Sequence, residues 1–82
     1  MTQMSPLSRA AARPLGQDWL DQIFRAKTAM RGGVLRRKVR DVEREVGRDA
    51  LELEVRRRGF HLLECGDDFV IICSGAPIRV LC

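Results

Sequence analysis

Between Phe60 and Ser74 the chain reads FHLLECGDDFVIICS, two apolar runs set around Gly66-Asp67-Asp68. Glycine and aspartate tolerate the backbone angles of a tight reversal, so the pattern predicts a β-hairpin with strands Phe60–Cys65 and Phe69–Ser74. The second run is the more restrictive. Side chains alternate along a strand, which puts Phe69, Ile71 and Cys73 on one face and Val70 and Ile72 on the other. Both faces are then apolar, whereas a sheet solvated on one side alternates apolar with polar residues. Such a strand demands cover on both sides, from the preceding helices or from a second subunit. Ser74-Gly75-Ala76-Pro77 marks another turn and Ile78–Leu81 (IRVL) a further strand, so a three-stranded antiparallel meander is predicted.

The segments before the hairpin read as helices. In Gln17–Arg31, Trp19, Leu20, Ile23, Phe24 and Met30 recur at helical spacing, with Asp18 placed to cap the start and Gly32-Gly33 to end it. Trp19 and Phe24 are expected in the core rather than as a platform for stacked bases. Val34–Lys38 (VLRRK) reads as a brief strand or an extended linker. From Val39 to Arg58 the apolar positions are Val39, Val42, Val46, Ala50, Leu51, Leu53 and Val55, and Asp41 is a candidate cap. Glycine inside a helix costs about 1 kcal/mol relative to alanine. Gly47 therefore favours two helices, Arg40–Val46 and Arg48–Arg58, over one kinked helix. The fold class is α+β: an N-terminal helix, a broken or paired helix, and the meander, all within residues 17–82.

Met1–Gly16 holds Pro6, Pro14, Ser5, Ser8, Arg9 and Arg13 and no acidic residue. A flexible leader is expected there, and an organellar transit peptide shares that composition. The hydrophobic fraction of 45% points to a folded core. The longest apolar run, Phe69–Cys73, is far below the roughly 20 residues of a spanning helix, so a soluble protein is expected. No segment reads as a secretory signal, and the cysteine count is odd (Cys65, Cys73 and Cys82), which favours reduced thiols and a cytoplasmic location. No Cys-x-x-Cys knuckle joins these cysteines to His61, so buried small thiols are expected and neither metal nor cofactor. One histidine, no tyrosine, no Gly-x-Ser-x-Gly and no phosphate-cradling glycine loop argue against an enzyme.

The order of elements resembles the winged helix-turn-helix. Val39–Gly47 stands as its first helix and turn, Arg48–Gly59 as the recognition helix, and Phe60–Ser74 as the wing. That resemblance implies a nucleic-acid partner, contacted through Arg36, Arg37, Lys38, Arg40, Arg48 and Arg56. The same segment departs from it in sign: Asp49, Glu52 and Glu54 lie along the helix and Asp67 and Asp68 at the wing tip, where carboxylates repel phosphate. The balance of 15 basic against 11 acidic residues, net +4, is only a mild bias toward anionic partners. Glu52–Arg56 and Glu54–Arg58 are also spaced as ion pairs of an ordinary solvated helix.

Gly32–Cys82 is further similar to short proteobacterial proteins that share the Val-Arg-Arg, Asp-Val-Glu-Arg, Val-Gly-Arg and Arg-Arg-Arg-Gly-Phe-His-Leu pieces. Some of those carry the name phosphoribosylanthranilate isomerase. That activity implies a (β/α)₈ barrel of about 250 residues, which this chain cannot close, so no activity or site residue carries over. The leading expectation is a non-enzymatic binding or regulatory module. It acts through a protein partner or a homodimer, with Val70, Ile72, Leu63 and Leu81 as candidate contacts and with no membrane. Nucleic-acid binding stands second.

Overall fold

A computed structural model describes residues 16–82; the leader expected over Met1–Gly16 lies outside the described residues except for Gly16. Seven elements follow in order: α1 (Gln17–Phe24), α2 (Lys27–Met30), β1 (Val34–Lys38), α3 (Val39–Glu45), α4 (Arg48–Arg57), β2 (His61–Cys65) and β3 (Asp68–Ile72). The fold is α+β, with an open antiparallel sheet in the order β1-β3-β2.

The apolar strand β3 is the central one, as its two greasy faces require. Its neighbours are β2, through the expected hairpin, and β1, which pairs it from Val34↔Ile72 to Lys38↔Asp68. The third strand is therefore Val34–Lys38, and the strand expected over Ile78–Leu81 does not form. The physical reason is competition for one edge. Once β1 is laid beside β3, with Cys73 N–H donating to Gly33 O at 2.9 Å to extend the ladder, β3 has no free edge left.

The helix expected over Gln17–Arg31 breaks at Arg25-Ala26 into α1 and α2, and Met30, placed on its apolar face by spacing, is exposed. Neither aspartate stands at the N-cap position. Gly16 and Lys38 occupy the N-cap positions of α1 and α3, and Asp18 and Asp41 sit in the first turns, where a carboxylate still favours the helix dipole. The break at Gly47 is real. Val46 and Gly47 both donate their N–H groups to Val42 O, at 2.9 and 2.8 Å, and Gly47 has φ 87°, a left-handed value that glycine adopts without steric cost. Gly16 ties the other end of the helical layer. A Cβ there would lie 2.7 Å from Glu45 O and collide with Val46, so the start of α1 rests on the end of α3.

One sheet face meets the helices. Leu35, Phe69, Ile71 and Cys73 join Leu20, Ile23, Phe24, Val42, Leu51 and Val55 in a single buried cluster, with Trp19 half-buried against it. Beside the cluster lies a charged brace. Glu54 is 5% exposed, and its carboxylate accepts hydrogen bonds from Arg58 Nε at 2.7 Å and from Arg57 Nη2. The Arg58 guanidinium also sits over the Phe24 ring, 4.4 Å from its centroid, and so joins α4 to α1. Burial pushes the Glu54 carboxyl upward, but the hydrogen bonds from Arg58 and Arg57 and their charges outweigh it, and the group is held below the usual carboxylate range.

A carboxyl depressed in the folded state contributes stability above its unfolded pKa and loses it as pH falls through the folded one. Thermal unfolding should therefore hold steady from neutral pH to about pH 5 and decline below it. In Glu54→Gln the decline should be shallower, and the variant should be less stable at pH 7 by about 1–2 kcal/mol. Melting curves followed by circular dichroism across pH check both outcomes; equal slopes in the two proteins would show that the brace carries none of the acid sensitivity.

Candidate interaction surfaces

The sheet turns its other face outward. Register places Val34, Ile72 and His61 in one row across the strands, Arg36, Val70 and Leu63 in the next, and Lys38, Asp68 and Cys65 in the last. The face divides in two. Toward the start of β1 it is apolar: Val34 is 53% and Leu63 38% exposed, and Val70 and Ile72 are half-buried between them. Toward the wing turn it is charged, with two cations sharing one carboxylate. Asp68 receives Arg36 Nη2 at 3.0 Å and Lys38 Nζ at 3.2 Å, and the Arg36 hydrogen bond, then that of Lys38, hold its carboxyl below the usual range.

On the helical side, Arg48 at the start of α4 is the junction between the helix pair and the wing. Its Nη2 reaches Glu64 Oε1 at 2.6 Å and its Nη1 reaches Glu43 Oε2 at 3.7 Å, while the guanidinium lies 5.0 Å from the Phe69 ring centroid. The hydrogen bond between them raises Arg48 and lowers Glu64 from their ordinary values. Three elements, α3, α4 and β2, thus meet at one cation. Along the rest of α4, Asp49, Glu52 and Leu53 are exposed, and Arg56 pairs with Glu52 at 3.7 Å.

The six basic residues proposed for nucleic acid do not converge. Arg36 and Lys38 stand on the outward sheet face, bound to Asp68; Arg48 is held by Glu64 and Glu43; Arg56 is held by Glu52. Arg37 points to the opposite sheet face by register, and its Nη1 donates to Arg36 O at 2.7 Å. Arg40, in the first turn of α3, has no carboxylate partner among the described residues. It lines an open cleft of about 330 Å³ together with Lys38, Val39, Glu43 and Asp67, two cations against two carboxylates. The surface that would face a duplex, α4 and the wing turn, presents Asp49, Glu52 and Asp67 beside Arg48, Arg56 and Arg57.

Of the four residues proposed for protein contact, Val70, Ile72 and Leu63 do come together, in adjacent positions of the outward face. Leu81 lies on a segment after β3 that forms no strand and is 83% exposed, as is Val80 at 79%. That segment is fixed at its start. His61 Nε2 donates to Ala76 O at 2.8 Å, and Ala76 N–H donates to Ser74 Oγ at 3.1 Å. Sequence reasoning missed Val34 and Leu53 as exposed apolar residues. Leu53 was legible, because it sits two positions from Leu51 and so about 200° around the helix from the buried Leu51–Val55 stripe.

The thiols separate. Cys73 is buried, and burial pushes its pKa up, which keeps it a protonated, apolar group; Cys65 and the terminal Cys82 are exposed, and of these Cys65 departs from the expectation of buried thiols. Among the described residues no three His, Cys, Asp or Glu side chains are grouped to hold a metal ion, and no helix is long and apolar enough to cross a membrane. Comparison with protein-family models, with curated proteins and with solved structures finds no match.

If Arg48 joins three elements while Arg56 decorates one, their removal should differ. Arg48→Ala should lower the melting temperature more than Arg56→Ala, and added salt should narrow the gap between them, since both pairs are exposed to solvent. Equal melting temperatures for the two variants would contradict the junction role.

Proposed function

We propose that the chain is a non-enzymatic binding module that works by associating with protein, its own copy or another chain, through the apolar half of the outward sheet face. The observation that carries this reading is the adjacency of Val34, Ile72, Val70 and Leu63 across three neighbouring strands, with no helix of the buried cluster on that side. Contiguous apolar surface on a small protein marks an interaction site. Closing it against a partner removes that surface from water, and the stabilisation scales with the area buried. Arg36, Lys38 and Asp68 along one border form an exposed, ion-paired polar rim, so desolvating them is not required for the apolar contact.

Nucleic-acid binding is the second reading, and one specific observation favours it. The helices α3 and α4 connect β1 to β2, which keeps the order of elements on which the winged helix-turn-helix resemblance rests. Charge placement ranks it lower. A phosphate backbone is bound by cations that shed their counterions, and four of the six candidates here already hold carboxylates.

Light scattering with and without a duplex DNA separates the two. The expected result is a particle heavier than the 9.3 kDa chain, unchanged by DNA at low salt, and lightened by Val70→Lys or Ile72→Lys. A DNA complex that weakens steeply with salt, with a shallower slope in Arg40→Ala, would reverse the ranking.

A further inference from the structure

We infer that residues 78–81 of one copy add as a strand to the free edge of β2 in a second copy, in a reciprocal exchange that builds a two-fold dimer. The inference rests on the association reading above and narrows it to one occupant, a second copy of this chain, and one edge.

The two open edges of the sheet are unlike. β1 carries Arg36, Arg37 and Lys38 in five residues, and lysine and arginine along an edge are the usual defence against a further strand. β2 reads HLLEC, and its single charge, Glu64, is occupied by Arg48. Among the described residues β2 pairs with β3 alone, so its outer N–H and C=O groups form an undefended template.

The chain also carries the strand that fits it. Ile78-Arg79-Val80-Leu81 is rich in β-branched residues, contains one charge, and holds Val80 and Leu81 more than three-quarters exposed. Pro77, which cannot donate to a ladder, stands just before it, at the strand start where proline is tolerated. The hydrogen bond from His61 to Ala76 O places the root of this segment at the beginning of β2. Running back from there along its own β2, the segment would lie parallel to it, the slightly less stable pairing, and the structure shows no such ladder. Against a copy related by a two-fold axis, the same direction becomes antiparallel to the partner's β2. Both segments then lie between the two β2 strands, and every neighbour in the joined sheet is antiparallel. Alternation would put Ile78 and Val80 on one face and Arg79 on the other; with the apolar pair beside Leu63 outside, Arg79 falls on the side of Glu64. Arg79 has no carboxylate partner among the described residues, and Glu64 would then be shared between it and Arg48.

The test uses the full chain. Sedimentation equilibrium over a wide concentration range should find a particle of two chains. Val80→Asp, at a site exposed in the single chain, should leave the circular dichroism unchanged and raise the dimer dissociation constant by at least about tenfold. Hydrogen exchange on the dimer should show slowed amides in 78–81 and in β2. A dimer whose 78–81 amides exchange freely and which survives Val80→Asp but not Ile72→Lys would overturn the exchange while sustaining association through the sheet face. A single-chain particle at every concentration, or one in which 78–81 is protected without dimerisation, would also overturn it.

Discussion

Everything in this fold is arranged around a strand that cannot face water on either side. Asp68–Ile72 continues into Cys73 with five apolar side chains in a row, and a backbone so loaded needs partners along both edges as well as cover over both faces. The edges are satisfied by β1 and β2. The inner face is satisfied by α1, α3 and α4, whose buried residues meet Phe69 and Ile71. The outer face is satisfied only in part, since Val70 and Ile72 remain half-buried and Val34 and Leu63 stand exposed beside them.

The charges follow a complementary rule. A small core leaves the chain with little margin, so charged groups that touch the core do so in matched sets. Glu54 is buried only because Arg57 and Arg58 close over it, and Arg58 in turn lies on Phe24. Arg48 lies on Phe69 with Glu64 and Glu43 around it. Cations used in this way serve as packing groups with a neutralised head, and they are withdrawn from the pool that could meet phosphate. The count of 15 basic residues thus overstates how many free cations the fold offers.

The hairpin, the helix break at Gly47 and the two-sided character of β3 were legible because each is written in residues close together: a Gly-Asp-Asp turn, a glycine in a helical run, a period of two. The Glu54–Arg58 pair was legible for the same reason, from its i,i+4 spacing, although the burial of Glu54 was not. What failed was long-range. Val34–Lys38 and Ile78–Leu81 both read as short strands, and no local pattern says which of them wins the edge of β3. The pairing of Arg36 with Asp68 spans 32 positions, so a basic run read along the chain did not show that the sheet register sets a carboxylate against two of its cations, Arg36 and Lys38. Among the candidate contacts, Val70 and Ile72 share a face by strand alternation alone, while the position of Leu63 beside them depends on the hairpin register.

That competition for one edge also explains why the segment after β3 keeps a strand-like composition without being a strand. A sequence able to pair, displaced from the central strand by β1, retains its apolar side chains and its unmet hydrogen-bonding groups. Water can meet the backbone groups, but exposing Val80 and Leu81 gains nothing for a single chain. Of the two sheet edges left over, one is lined with cations and the other is nearly neutral, so the molecule is asymmetric in what it rejects and what it admits. The same apolar excess that forces β3 into the middle of the sheet therefore reappears at the surface, in an exposed segment of strand-like composition beside a nearly neutral sheet edge.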